Sequence, residues 1–383
     1  MDWIQFIPVV IWCGAIFALG LAVGSFLNVL IARLPYEKSI IWPSSRCFSC
    51  FTPIRALDNI PILGYLRLRG KCRHCGAPFS SRYLWVEIGT GLATLGLFVV
   101  EVLLNIYKIP VLNFNILAGN NALPPWQGLV LFLYHAVLLW ALIACASIDA
   151  EHRIIPSLIP YTAMVIGIVG GALMPWPWPN SLAAASAIPT ADPWTFPEHW
   201  GKIALGAQPW PFWETPIRFA PPGSFQLGLF NGVIGALAGS LVVRIIRGIF
   251  SSAFGREALG MGDADLLMMA GAFLGWQIAV MALFAGAASA LVLKIVEIIF
   301  VAKDAPMIDG KPAPDARELP FGPGLAIGVV VTWLSWPWLG PRIQFVFFDP
   351  VTFGLATFIM CVGLFAAGLL LRRPAETPPE VKV

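Results

Sequence analysis

Residues 128–148 read GLVLFLYHAVLLWALIACASI, and Asp149 follows at once. This run of 21 residues holds no Asp, Glu, Lys or Arg. As a helix it is about 30 Å long, which matches the hydrocarbon thickness of a bilayer. Further apolar stretches lie at 4–32, 84–106, 155–175, 227–246, 264–275, 277–301, 322–340 and 350–371. The stretch 264–275 is short and reads as a tilted or partial span. Of the 383 residues, 58% are hydrophobic and 12% charged, and mean hydropathy is +0.78. Soluble domains carry roughly 25% charge. This chain has too little polar surface to cover a soluble fold, which excludes disorder, collagen, a coiled coil and a soluble Rossmann-type enzyme. The expected fold is an all-α polytopic membrane protein with about eight to nine transmembrane helices.

Threading nine helices with the N-terminus outside puts nineteen of the 24 Lys and Arg residues in inner loops and the tail. Only Lys108, Lys202, Arg218 and Arg342 fall outside. Lys and Arg accumulate on the cytoplasmic side of membranes, so this bias sets the expected orientation. The net charge of +3 points to no nucleic-acid partner. Met1-Asp2 supplies no basic n-region and no small-residue cleavage site follows, so the first helix is expected to be retained. The chain divides into a first transmembrane helix (1–34), a cytoplasmic tetracysteine domain (35–83), a multi-helix membrane domain (84–371) and a frayed tail (372–383). Residues 176–226 read as an external insertion rich in Pro and Trp, either an irregular flap against the outer face or a tolerated insertion in a surface loop.

Cys47-x2-Cys50 is followed, with 21 residues between Cys50 and Cys72, by Cys72-x2-Cys75. Two such knuckles about 20 residues apart suit a tetrahedral zinc ion, each giving two thiolates to one side of the metal. The expected cytoplasmic placement disfavours disulfides. Arg46, Lys71 and Arg73 stand close by and favour thiolates. Structural zinc is the expected role, with disulfides and redox chemistry as the alternatives. The metal would staple a segment too small to fold alone. His74 reads as a surface residue, and Cys13, Cys145 and Cys361 as packing residues in apolar helices.

Asp149 ends one apolar stretch as it reaches the cytoplasmic face. Asp263 begins another as it leaves that face, after Leu259-Gly260-Met261-Gly262. Topology thus places both at similar depth. A carboxylate at a helix N-terminus is favoured by the dipole, which accounts for Asp263, whereas Asp149 sits at the unfavourable end. Carboxylates at membrane depth are costly and point to function. Two aspartates held close cannot both ionise. Such a pair suits amide hydrolysis, one carboxylate taking a proton from water while the other polarises the carbonyl. Gly260 and Gly262 would let backbone or substrate approach Asp263 closely. Spacing and topology leave three readings open: an aspartyl membrane protease, ion or proton translocation in a zinc-stapled transporter, and structural caps in a scaffold. Asp265 and Glu151 compete with Asp263 and Asp149 for the pair, and His152 and Arg153 are either substrate contacts or plain surface residues.

Gly24-Ser25-Phe26-Leu27-Asn28-Val29, running to Arg33-Leu34-Pro35, forms a distinctive first-helix motif. The cysteine knuckles enclose Asp58-Asn59-Ile60-Pro61 and Leu68-Arg69-Gly70-Lys71, and are followed by Ser81-Arg82-Tyr83 and Val86-Glu87. Asp149 precedes Pro156 by seven residues, Gly260-Met261-Gly262-Asp263 follows, and Pro320-Phe321-Gly322-Pro323 comes late. Together and in this order, these stretches resemble the prepilin peptidases, or type IV leader peptidases. The likeness covers the chain except 176–226 and the last helix and tail. A presenilin-like protease shares the Gly-x-Gly-Asp element, but has no use for a zinc loop.

The resemblance implies a membrane aspartyl endopeptidase in which Asp149 and Asp263 are catalytic and Cys47, Cys50, Cys72 and Cys75 hold Zn2+. Its substrates would be type IV prepilins or type II secretion pseudopilins, cut after a glycine that ends a short basic leader. N-methylation of the new N-terminus by S-adenosylmethionine is implied too, with Gly24, Asn28, Arg82 and Glu87 framing that site, close helix packing through a small residue being the alternative role of Gly24. The location implied is the bacterial inner membrane, with the zinc domain and both aspartates at the cytoplasmic face. Three positions depart from the family pattern: Phe48 for a Pro, Ser157 in Ile155-Pro156-Ser157 for an Asp, and Asp265 for a Lys.

Overall fold

The computed structural model describes residues 7–107, 109–112, 124–180, 207, 219–254, 260–300, 307–308, 311–312, 321–348 and scattered positions between 351 and 362. These residues are mostly helical, the stretch between α1 and α3 being largely turns and loops. The long helices are α1 (Ile7–Arg33), α3 (Arg82–Phe98, prolonged by a π-turn over Val99–Leu103), α4 (Trp126–His152) and α5 (Leu158–Leu173). They are followed by α6 (Phe225–Phe254), α7 (Met261–Leu274), α8 (Trp276–Phe300) and α9 (Phe321–Phe348). A single turn, α2 (Leu63–Arg67), lies between α1 and α3, and a two-residue ladder pairs β1 (Met307–Ile308) with β2 (Lys311–Pro312). Among the described residues, α1, α3, α4, α6, α8 and α9 are long and apolar enough to cross a membrane, and α5 is a shorter apolar helix. Most of the expected 350–371 helix and most of the 176–226 insertion lie outside the described residues, as do Cys361, Pro320 and the tail.

Small residues let the helices approach. A Cβ added to Gly20 would lie 2.8 Å from the Gly91 Cα, and one on Gly24 would lie 2.8 Å from the Glu87 Cα, so α1 and α3 pack backbone to backbone. Trp140 Nε1 donates to Thr94 Oγ1 at 2.9 Å, tying α4 to α3, and Tyr134 Oη donates to the Gly167 carbonyl at 2.9 Å, tying α4 to α5.

Helix α7 sits at the centre, packed against α4, α5, α6, α8 and α9. Every residue from Asp263 to Leu274 is buried. The sequence suggested a tilted or partial span here; the 14 residues of α7 form a short helix enclosed by other helices. The closest approach is to α6, where a Cβ on Gly271 would fall 2.0 Å from the Gly235 carbonyl oxygen. This enclosed helix carries Asp263 into the interior.

Candidate functional site

Asp149 and Asp263 come from different helix ends. Asp149 lies in the last turn of α4, which stops at Arg153, a residue in the left-handed region (φ 55°) whose N–H donates to the Asp149 carbonyl. Asp263 lies in the first turn of α7, and its Oδ2 accepts the Gly260 N–H at 3.0 Å, capping its own helix. Gly262 packs on the chain just beyond α4: a Cβ there would be 2.8 Å from the Ile155 Cβ. That contact brings the start of α7 to the end of α4, and the two carboxylates lie close enough for the charge of one to act on the other. Both are nearly enclosed, Asp149 at 8% exposure and Asp263 at 6%.

A third element completes the arrangement. The Gly322 N–H, in the first turn of α9, donates to Asp149 Oδ2 at 2.9 Å. A Cβ at position 322 would stand 2.6 Å from that oxygen, so only glycine fits without displacing the carboxylate. The first turn of α9 therefore points a backbone donor and the positive end of its dipole at Asp149. Sequence reading noted Gly322 within a motif but gave it no role.

The rival carboxylates are engaged elsewhere. Glu151 forms an ion pair with Arg82 at the start of α3. Asp265 faces Arg244 of α6 at 4.0 Å. His152 stacks edge-on against Tyr36, ring centroids 5.5 Å apart, so the end of α4 is fastened to the chain leaving α1. Arg153 acts on Asp149 by its charge.

The four cysteines converge. Cys47 Sγ lies 3.7 Å from Cys75 Sγ and Cys50 Sγ 3.9 Å from Cys72 Sγ, with all four sulfurs within 4.8 Å of one another. Tetrahedral zinc–thiolate bonds of about 2.3 Å require sulfurs about 3.8 Å apart, and disulfides require about 2.05 Å. The spacing fits an ion and excludes disulfides. The knuckles share one design: each starts with an antiparallel bridge, Arg46 to Pro53 and Lys71 to Pro78. Each also has a left-handed residue four positions after its first cysteine, Phe51 (φ 56°) and Gly76 (φ 73°). The Thr52 hydroxyl, with its backbone N–H, holds the Cys50 thiol down at about 6; on Cys75 the backbone hydrogen bond from Ala77 lowers the thiol, but burial and the three neighbouring sulfurs together outweigh it and push it up to about 11. The Arg73 guanidinium grips Asp58 at 2.5 and 2.7 Å and lowers its carboxyl below the ordinary value. His74 is exposed, as expected.

Between this domain, α1 and α3 lies a cavity of about 350 Å³, lined among others by Asn28, Arg33, Phe48, Phe51, Tyr65 and Glu87. Asn28 Nδ2 donates to the Tyr83 carbonyl at 3.0 Å, while its Oδ1 is buried without a hydrogen-bond partner. Glu87 Oε2 accepts the Ile62 N–H at 2.8 Å. Of the four residues expected to frame a methyl-donor site, Asn28 and Glu87 line this cavity. Gly24 is spent on helix packing, and Arg82 pairs with Glu151.

A second polar pair went unread in the sequence. His135 Nδ1 lies 2.7 Å from Glu101 Oε1, and Nε2 donates to the Ala207 carbonyl at 2.9 Å, with both side chains fully enclosed. It sits about 20 Å from Asp149 along α4, too far to act on the same atoms.

Known proteins match the chain over most of its length. Residues 18–102 match the bacterial peptidase A24 N-terminal domain, and residues 218–295 the type IV leader peptidase family. The prepilin leader peptidase/N-methyltransferase of Klebsiella pneumoniae is 31% identical over 273 residues, covering 70% of this chain and 87% of that protein. The proteins of the same name from Myxococcus xanthus and Aeromonas hydrophila are 31% and 27% identical, covering 79% and 84% of this chain and 69% and 89% of their own lengths. No solved structure matches. With a relative of this identity aligned over most of its length, and with both halves of the peptidase matched in order, the chain belongs to the type IV leader peptidase family.

Proposed function

We propose that this protein is a membrane endopeptidase that removes the leader from prepilins or pseudopilins, cutting after a glycine, with Asp149 and Asp263 as its catalytic pair. The observation that carries the reading is that two enclosed carboxylates stand at the neighbouring ends of α4 and α7, with the first turn of α9 donating to one of them. One carboxylate takes a proton from the attacking water while the other donates a proton to the scissile carbonyl oxygen. Collapse of the tetrahedral intermediate returns a proton to the leaving amine, so no covalent enzyme intermediate is needed. The names of the relatives support prepilin processing as the activity.

Cys47, Cys50, Cys72 and Cys75 would hold a structural Zn2+, which would fasten the two knuckles into one domain. The cavity beside that domain suits a methyl donor such as S-adenosylmethionine, in size and in the orphaned Oδ1 of Asn28, a ready acceptor for a ligand N–H. Asn28 and Glu87 would hold it, and Phe48 and Phe51 would cover apolar or aromatic parts. When bound, the donor supplies an electrophilic methyl group to the new N-terminal amine.

The test is processing of a prepilin in membranes by wild type, Asp149→Asn and Asp263→Asn, with N-terminal sequencing and mass of the product. The expected result is loss of cleavage in both variants with helix content and metal retained. Cleavage surviving either change would return the protein to the transporter or scaffold readings.

A further inference from the structure

The domain between α1 and α3 displays large apolar side chains that its small interior does not use. Ile41 is 85% exposed and Trp42 74%. Their position is fixed by Arg33, the last residue of the spanning helix α1. Its Nη1 donates to the Ser39 carbonyl at 3.0 Å and its Nη2 to the Pro43 carbonyl at 2.7 Å. Ser39 Oγ in turn accepts the N–H groups of Ile41 and Trp42 at 3.3 and 3.2 Å. The turn over residues 39–43 is thus wrapped around the guanidinium that closes α1, which holds it near the end of that helix. Tyr36, just past α1, and Trp85, in the first turn of α3, are exposed at the same end of their helices. Lys38 Nζ lies over the Tyr36 ring, 5.3 Å from its centroid.

Tryptophan and tyrosine concentrate at membrane–water boundaries, and lysine and arginine beside them reach anionic headgroups. The turn follows directly on α1, a helix long and apolar enough to cross a membrane, on which Phe26 stands exposed in the half nearer the turn. We propose that the 39–43 turn is a membrane-docking wedge. Ile41 and Trp42 enter the headgroup–acyl boundary, and Lys38 and Arg46 bind the anionic phosphates of the same leaflet. The occupant of this surface is the bilayer that the chain spans. Lys38 and Pro43 also line the cavity, so lipid contact fixes one wall of it.

The full-length protein carrying benzoylphenylalanine in place of Trp42 tests this in nanodiscs of phosphatidylcholine, alone or mixed with phosphatidylglycerol. Irradiation should give intact-mass adducts of one phospholipid, several-fold more abundant with phosphatidylglycerol. An adduct on an added prepilin peptide instead of lipid, or no adduct at all, would overturn the proposal. A second measurement avoids the crosslinker: Ile41→Ser with Trp42→Ser should speed tryptic cleavage at Lys38 and Arg46 several-fold in the anionic nanodiscs, with metal content unchanged. An unchanged cleavage rate would also overturn it.

Discussion

The backbone N–H of Gly322 reaches Asp149 Oδ2 at 2.9 Å across 173 residues of sequence. It joins the first turn of α9 to the last turn of α4 and fixes the rotamer of a carboxylate that otherwise hangs from a helix end. Gly322→Ala would place a methyl group 2.6 Å from that oxygen. The carboxylate can turn aside, whereas the Asp149 Cβ, 3.0 Å from the added methyl group, can give only by a small shift between α4 and α9, so only a slight loss of thermal stability is expected. Displacement of a catalytic group by about 1 Å can cost 100-fold in rate, and a fall in kcat of roughly 10- to 100-fold is expected. Wild-type kcat in this variant would remove Gly322 from the site.

The carboxylates sort by partner. Glu151 and Asp265 have arginines, and their Gln and Asn variants should keep at least about a tenth of wild-type processing. Asp149→Asn and Asp263→Asn should lose about 1000-fold or more, the scale of a lost acid or base. A rate loss at Asp265→Asn as large as at Asp263→Asn would reassign the pair.

Arg82 and Glu151 are both about one-third exposed, so water screens the pair and its net worth is about 0.5–1 kcal/mol. Arg82→Glu or Glu151→Arg alone should destabilise the protein by that amount and loosen the junction between α3 and α4. The double reversal should restore most of it. Additive effects in the double-mutant cycle would show that the pair carries no coupling.

The thiols predict a pH dependence for metal binding. Cys50, held down at about 6, is a thiolate at pH 7, whereas Cys75, pushed up to about 11, is still protonated without metal. Zinc binding at pH 7 should therefore release at least about one proton, measurable by calorimetry in buffers of different ionisation enthalpy. Because the folded Cys50 value is lowered, the stability it contributes is present above the ordinary thiol range and is lost as pH falls through about 6. Zinc occupancy should fall across that window. Proton-neutral binding at pH 7 would contradict the assignment.

Packing in the core predicts a contrast between glycines. Gly271→Ala puts a methyl group against the Gly235 carbonyl at 2.0 Å, where backbone must move. A cost of about 1–3 kcal/mol is expected, read as lower expression and earlier thermal unfolding. Gly14→Ala meets nothing within 4 Å and should be neutral. Equal stability of the two variants would mean that α6 and α7 can slide apart freely.

Much of this was legible in the chain because its signals are local. Apolar runs such as 128–148 and the spacing of Cys47, Cys50, Cys72 and Cys75 need no tertiary context, and the helices and sulfur cluster lie where those patterns put them. Asp149 and Asp263 stood out by rarity and position. The donor at Gly322 did not, because a backbone N–H leaves no trace in residue type and its partner is far away in sequence. The enclosure of α7 was hidden for a different reason: a helix apolar on all sides has no preferred face to betray its neighbours. Glu101 and His135 did leave a signal, as ionisable residues inside apolar stretches, and their pairing answers the cost of burying them.

The bond between Gly322 and Asp149 also has a consequence in time. During synthesis α4 leaves the ribosome well before α9, and 173 residues at roughly 5–20 per second take about ten to thirty seconds. For that interval Asp149 has no donor from α9, and a chain that stops short of Gly322 never gains it. On the proposed function, the complete site would therefore form only late in translation, once α7 and α9 have both joined α4.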